Sequence, residues 1–250
     1  PTPGSLRFNQ DFATLEFYTG NNWATVNTFT DIPNSPGGGR GYIPGGYDGS
    51  DQVVNIDLIR ISTLGNAVDF GDNSVATGMR QNNGSASSRT RGFRFSSGSD
   101  ATILYFTLST TGRAEAFGES TFSGSATAVA SSTRAISAHS STSSLTLDYI
   151  EMATKSNALD FADLFHGRNE LGSVSSETRG VFCGGGAPSG SNPKDEMDVI
   201  IIASKANATD FGNLTDRRGQ LGGGVSDGVR GAVAGGAHNP KYLRSIDYIT

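Results

Sequence analysis

A repeat of 44 to 50 residues constrains this chain more than any other feature of its sequence. Its clearest marker is a short apolar run with an early aspartate. Ile56-Asp57-Leu58-Ile59 returns as Leu147-Asp148-Tyr149-Ile150, Met197-Asp198-Val199-Ile200 and Ile246-Asp247-Tyr248-Ile249. A fainter copy, Ile103-Leu104-Tyr105-Phe106, lacks the aspartate. Two further markers keep the same phase. Asn66-Ala67-Val68-Asp69-Phe70 recurs as Asn157-Ala158-Leu159-Asp160-Phe161 and Asn207-Ala208-Thr209-Asp210-Phe211. An arginine, usually followed by glycine, opens each unit: Arg40, Arg91, Arg134, Arg179 and Arg230.

Each unit reads as four short strands. The Arg-Gly run, such as Val181-Phe182-Cys183, ends in glycines, and a variable polar loop follows. The Ile-Asp run has the length and β-branched content of a strand, and a turn then leads to the Asp-Phe segment. A last run, such as Gly219-Gln220-Leu221-Gly222, precedes the next arginine and supplies the fourth strand of its unit. Composition agrees. The chain holds 34 glycines and only 17% charged residues, and its many serines and threonines disfavour long helices. The sequence therefore predicts an all-β fold.

Four short strands in this period match a β-propeller blade, and Gly45-Gly46, Gly184-Gly185 and Gly235-Gly236 resemble the diglycine of kelch repeats. The unit lacks the downstream Tyr and Trp of kelch, so the resemblance is kelch-like only. A β-solenoid or stacked hairpins would also repeat, although solenoid coils are usually much shorter. The expectation is a kelch-like propeller of about five blades over residues 36–250, four full repeats and a partial one. The missing strands would come from the N-terminal segment, from residues past Thr250, or from a neighbouring subunit. The recurring Arg40, Arg91, Arg134, Arg179 and Arg230 are expected to be structural, buried and paired with the recurring Asp69, Asp160 and Asp210.

Residues 1–35 do not carry the repeat. Leu6 alternates with Phe8 and Leu15 with Phe17, a turn-prone stretch precedes Trp23, and Pro33 to Gly39 reads as a linker. A three-stranded meander for attachment or ring closure is the expectation. Its pattern, Gly4-x-Leu6-Arg7-Phe8-Asn9, Leu15-Glu16-x-Tyr18 and Gly20-x-x-Trp23, resembles a short module of bacteriophage tail-fibre and virion appendage proteins. The long repeat is similar to kelch-like repeats in structural proteins of tailed phages, cyanophages especially. The resemblance implies a virion location, other virion proteins as partners, a homo-oligomer and host-surface recognition. A purely architectural baseplate, neck or decoration protein is the alternative.

The net charge of −5 argues against a nucleic-acid partner, and no apolar run is long enough to insert in a membrane as a helix. The absence of an initiator methionine suggests a fragment or processed chain. No zinc-protease motif, paired cysteine ligands or phosphate loop occurs, so no catalytic residue, metal or cofactor is expected. Asp48-Gly49-Ser50-Asp51 lacks the remaining ligands of a calcium loop. If the Arg-Gly strand were innermost, His139 and Cys183 would approach the axis from adjacent blades, but at an offset of one residue that turns them to opposite faces. Binding is better placed in the loops after that strand, which carry Tyr47, Asp51, Asn192, Lys194, Asn239 and Tyr242. These suit stacking on sugars and bonding to hydroxyls of a host polysaccharide.

Overall fold

The structure, a computed structural model, describes residues 1–9, 14–25, 39–47, 50–61, 64–74, 84–95, 99–186, 192–238 and 240–250. Of the expected linker, Pro33 to Gly39, residues 33–38 lie outside them. Every regular element in the described residues is a strand, arranged in small antiparallel sheets.

The N-terminal meander pairs β1 (Leu6–Asn9), β2 (Thr14–Tyr18) and β3 (Trp23–Thr25). Alternation divides its faces. On one, Glu16 accepts from Arg7 Nε at 2.7 Å and Asn9 Nδ2 at 3.0 Å, and the Arg7 guanidinium lies 4.3 Å from the Trp23 ring centre. On the other, Leu6, Phe8, Leu15 and Phe17 are exposed.

Five further sheets follow in chain order. Sheet I contains β4 (Arg40–Tyr47), β5 (Gln52–Arg60) and β6 (Val68–Asp72). Sheet II runs β7 (Ser85–Ser87), β8 (Arg91–Arg94), β9 (Thr102–Thr107), β10 (Glu115–Glu119). Sheet III runs β11 (Ala126–Ala130), β12 (Arg134–His139), β13 (Thr146–Glu151), β14 (Leu159–Asp163). Sheet IV runs β15 (Gly172–Ser175), β16 (Arg179–Cys183), β17 (Glu196–Ile201), β18 (Thr209–Asn213). Sheet V joins β19 (Gly224–Ser226), β20 (Gly231–Ala234) and β23 (Ile246–Ile249), and the hairpin β21 (Ala237–His238) with β22 (Lys241–Tyr242) fills the loop between the last two.

This order corrects the expected phase of the repeat. The run before each arginine does not close its own unit. It opens the next sheet, because a tight turn ties it to the Arg strand: Ser176 N–H donates to Arg179 O at 2.9 Å, and Ser176 Oγ accepts from Arg179 N–H at 3.1 Å. In sheet V the strand is Gly224–Ser226 rather than 219–222.

Successive sheets stack face to face, and each pair shares one apolar core. Sheets I and II enclose Ile56, Phe70, Leu104 and Phe106. Sheets II and III enclose Phe93, Phe95, Phe117 and Ile150. Sheets III and IV enclose Ile136, Leu147, Phe161 and Phe182, and sheets IV and V enclose Val181, Cys183, Met197 and Leu221. The strands β7, β11, β15 and β19 lie beside one another along the stack. Thr127 Oγ1 meets Ser173 Oγ at 3.0 Å, and Ser173 Oγ donates to Ala128 O at 2.8 Å. A cavity of about 350 Å³ lined mostly by glycine, serine and alanine, with Thr127, Val129 and Val174, runs between these four strands.

The glycine after the arginine follows from this packing. A Cβ on Gly180 would stand 2.5 Å from a Val129 methyl, and one on Gly231 would stand 2.7 Å from a Val174 methyl. Sheet III departs with Arg134-Ala135, and there the residue equivalent to Val129 and Val174 is Ala86. The junction exchanges a valine–glycine pair for two alanines, which makes room for the Ala135 Cβ at the loss of one side-chain carbon.

The expected Arg–Asp pairing is not found. Asp69, Asp160 and Asp210 are exposed, and Asp69 and Asp210 accept from the N–H of Gly71 and Gly212 at 3.0 Å instead. The half-buried arginines reach across to backbone of the following sheet. Arg40 Nη1 donates to Leu108 O at 3.4 Å, Arg91 Nη1 to Met152 O at 2.9 Å, and Arg134 Nη1 to Ile202 O at 3.0 Å. Arg91, Arg134 and Arg230 also lie over Tyr105, Tyr149 and Tyr248 of their own sheets. Arg179 and Arg230 are exposed. A carbonyl at the end of a strand is a better partner here than the Asp-Phe aspartate, whose side chain alternation turns to solvent.

Candidate functional site

Equivalent hairpin loops leave the Arg-Gly strand of each sheet and return as the strand of the Ile-Asp run. Tyr47 ends β4 and pairs in register with Gln52, so the first of these loops is a tight extension of sheet I carrying the exposed Asp51. The side chain of Tyr47, residues 48–49 of the calcium-like turn, and Asn239 lie outside the described residues.

The corresponding loop of sheet IV carries Asn192 and Lys194. Asn192 is exposed with φ of 46°, a left-handed conformation that asparagine tolerates better than most residues. Lys194 is fixed through its backbone, its N–H donating to Gly185 O at 2.7 Å and its carbonyl accepting from Arg218 N–H at 3.0 Å. Its ammonium lies 3.8 Å from Glu196 Oε1. In sheet V, Tyr242 stands on the small β21–β22 hairpin and is 83% exposed. No hydrogen bond or ion pair joins Asn192, Lys194 and Tyr242 to one another. They are presented from adjacent sheets as separate points, and Asp51 belongs to sheet I.

His139 and Cys183 do not form a pair. Cys183 is fully buried in the core between sheets IV and V, and burial pushes its thiol up to about 12, so no thiolate nucleophile is available at neutral pH. His139 ends β12 and stacks on Phe122 with ring centres 4.3 Å apart. Burial holds its imidazole below the ordinary value. No group of three or more His, Cys, Asp or Glu side chains with metal-binding geometry occurs among the described residues.

The polar groups that the sequence reading missed lie beneath these loops. Arg168 is 1% exposed and donates through Nη1 to Glu196 Oε2 at 3.0 Å and Asp198 Oδ1 at 3.2 Å. Arg218 is 0% exposed and donates to Gly235 O, Ser245 O, Ser245 Oγ and Asp247 Oδ1. These arginines anchor the base of the loops by pairing with the aspartate of the Ile-Asp run. The sequence signal was available: Arg168 and Arg218 each stand seven residues past the Phe of the Asp-Phe segment.

Comparison with known protein families and with curated proteins finds no match.

Proposed function

We propose that the chain is a virion structural protein of a tailed phage, a tail fibre or appendage that uses its loops to recognise a host-surface glycan. In this reading the five stacked sheets are blades of a kelch-like β-propeller, and β7, β11, β15 and β19 line its axis. The carrying observation is the division between a repeated, cross-bonded body and irregular loops rooted on buried Arg–Asp pairs. A rigid base with variable loops at equivalent places is a common arrangement for recognition. The exposed apolar face of the N-terminal meander supports attachment to other virion proteins or to further copies of the chain. Binding strength would then come from many weak sites acting together.

The exposed aromatic ring of Tyr242 and the Lys194 ammonium are the side chains best placed to contact sugar. A glycan array probed with the intact oligomer tests this. Retention of selected glycans, lost in Tyr242→Ala and Lys194→Ala proteins of unchanged oligomeric state, is the expected result. Assembly on tail components with no retention on the array would favour the architectural alternative, which the apolar N-terminal face also supports.

A further inference from the structure

Three of the junctions between neighbouring sheets have a buried position for a charged pair and fill it differently, whereas between sheets I and II the aspartate position is taken by buried Leu104. Between sheets III and IV the charged position holds Arg168 with Asp198, and between sheets IV and V it holds Arg218 with Asp247. Between sheets II and III it holds Asp148 at 0% exposure. The Asp148 carboxylate accepts from Thr121 N–H at 2.6 Å and Thr121 Oγ1 at 2.7 Å, as Asp247 accepts from Thr215 at 2.8 Å through both groups. Three residues beyond Thr215 comes Arg218, and three beyond Phe165 comes Arg168; three beyond Thr121 comes Gly124. No arginine or lysine lies within ion-pair distance of Asp148 among the described residues.

The acceptors that hold Arg218 nevertheless have counterparts at this junction. By strand register, Thr121 stands for Thr215, the His139 carbonyl for that of Gly235, and Thr146 for Ser245. One polar group is added. Ser137 pairs across the strands with Asp148 on the same face, where sheets IV and V carry Phe182 and Val233. The Ser137 hydroxyl is fully buried and has no hydrogen-bond partner. A buried carboxylate without a cation and a buried hydroxyl without a partner on one face are both costly unless a donor satisfies them.

We propose that the junction of sheets II and III binds a guanidinium or ammonium group at Asp148 and Ser137, where its sister junctions place the side chain of an arginine. Half-buried Gly124 stands where the sister junctions have arginine, and Thr121 and Ser123 near it are exposed. Burial raises the Asp148 carboxyl above its ordinary value despite the Thr121 bonds, as expected of a carboxylate that lacks its counter-ion. The titratable groups that act on it are Asp160 and His139. The group bound is either a free ion or the side-chain head of a neighbouring protein.

The test is thermal unfolding of the full chain at pH 7.5 with guanidinium chloride from 0.1 to about 50 mM, matched in ionic strength with tetramethylammonium chloride, which has no donors. The expected result is a saturable rise in Tm of about 2–5 °C at ten times the dissociation constant, absent with tetramethylammonium. Ammonium chloride and arginine amide arms separate a compact ion from a side-chain head. The rise should vanish in Asp148→Asn and weaken in Ser137→Ala, the second variant covering the first should it fold poorly. No saturable rise in the wild type, or the same rise in both variants, overturns the proposal.

Discussion

Replacing Arg218 with methionine removes the cation between sheets IV and V while keeping most of the volume, so the loss is electrostatic rather than a cavity. The guanidinium donates to Asp247 Oδ1 at 3.1 Å, Ser245 Oγ at 3.0 Å and the carbonyls of Gly235 at 3.2 Å and Ser245 at 3.3 Å, with longer bonds to Asp216 O at 3.4 Å and Thr215 Oγ1 at 3.5 Å. They do not suffer equally. The Ser245 carbonyl keeps a bond from Gly235 N–H at 3.0 Å, and Asp247 keeps two from Thr215. What remains uncompensated is chiefly the negative charge on Asp247, 8% exposed. Removing one partner of a buried pair costs about 3–5 kcal/mol, and the surviving bonds place Arg218→Met near 3 kcal/mol. Adding Asp247→Leu should restore stability to within about 1 kcal/mol of wild type, because an apolar replacement of both partners removes the stranded charge. Sheet II supplies the precedent, with Leu104 at the aspartate position and fully packed. Urea unfolding followed by far-UV circular dichroism measures both, since Trp23 lies in the N-terminal meander and does not report on sheet V. A single variant that loses under about 1 kcal/mol, or a double variant no more stable than the single, would refute the argument.

Two further outcomes are expected. A Cβ on Gly118 would stand 2.0 Å from the Ser156 carbonyl, so Gly118→Val must push away the link whose Ala158 N–H donates to Glu119 O at 2.8 Å. About 1–3 kcal/mol of stability should be lost, with faster hydrogen exchange at the Ala158 amide, and unchanged exchange there would contradict the packing. Cys183, fully buried with its thiol raised to about 12, should be inert to an aromatic disulfide reagent in the native protein and react fully in denaturant. Rapid native labelling would show that the core between sheets IV and V opens.

The markers of the repeat carried the strand content, and β5, β9, β13, β17 and β23 fall on the five apolar runs. The meander of residues 1–25 was equally legible, because alternation over Leu6, Phe8, Leu15 and Phe17 needs no partner to be read. The phase of the sheets was not. A periodic sequence has no intrinsic starting strand, and only the tight turn before Arg179 decides that β15 pairs with β16. The roles of the charged residues were read by recurrence, which favoured the Arg-Gly arginines and the Asp-Phe aspartates. Burial follows side-chain direction instead, and alternation turns Asp160 outward while Asp198 points in. Arg168 and Arg218 recur only twice and so were overlooked, and Gly124 in the same place hid the pattern further. Of the loop residues, Asn192, Lys194 and Tyr242 are where the repeat placed them, at equivalent hairpins, but their spacing across sheets depends on packing that no local signal encodes.

Side-chain size falls from one edge of each sheet to the other. Phe161 and Tyr149 thicken sheet III on one side, Ile136 stands midway, and Ala128 with the neighbouring Ser173 and Gly224 thins the other edge. Sheet III thus tapers toward the edge where β11 meets β15. In the proposed propeller, the turn from blade to blade would come from what these few small residues leave out rather than from any connecting segment. Methyl groups added at Ala128 or Gly224 would widen this thin edge, and the one at Gly224 would press on the Val174 side chain of the next sheet.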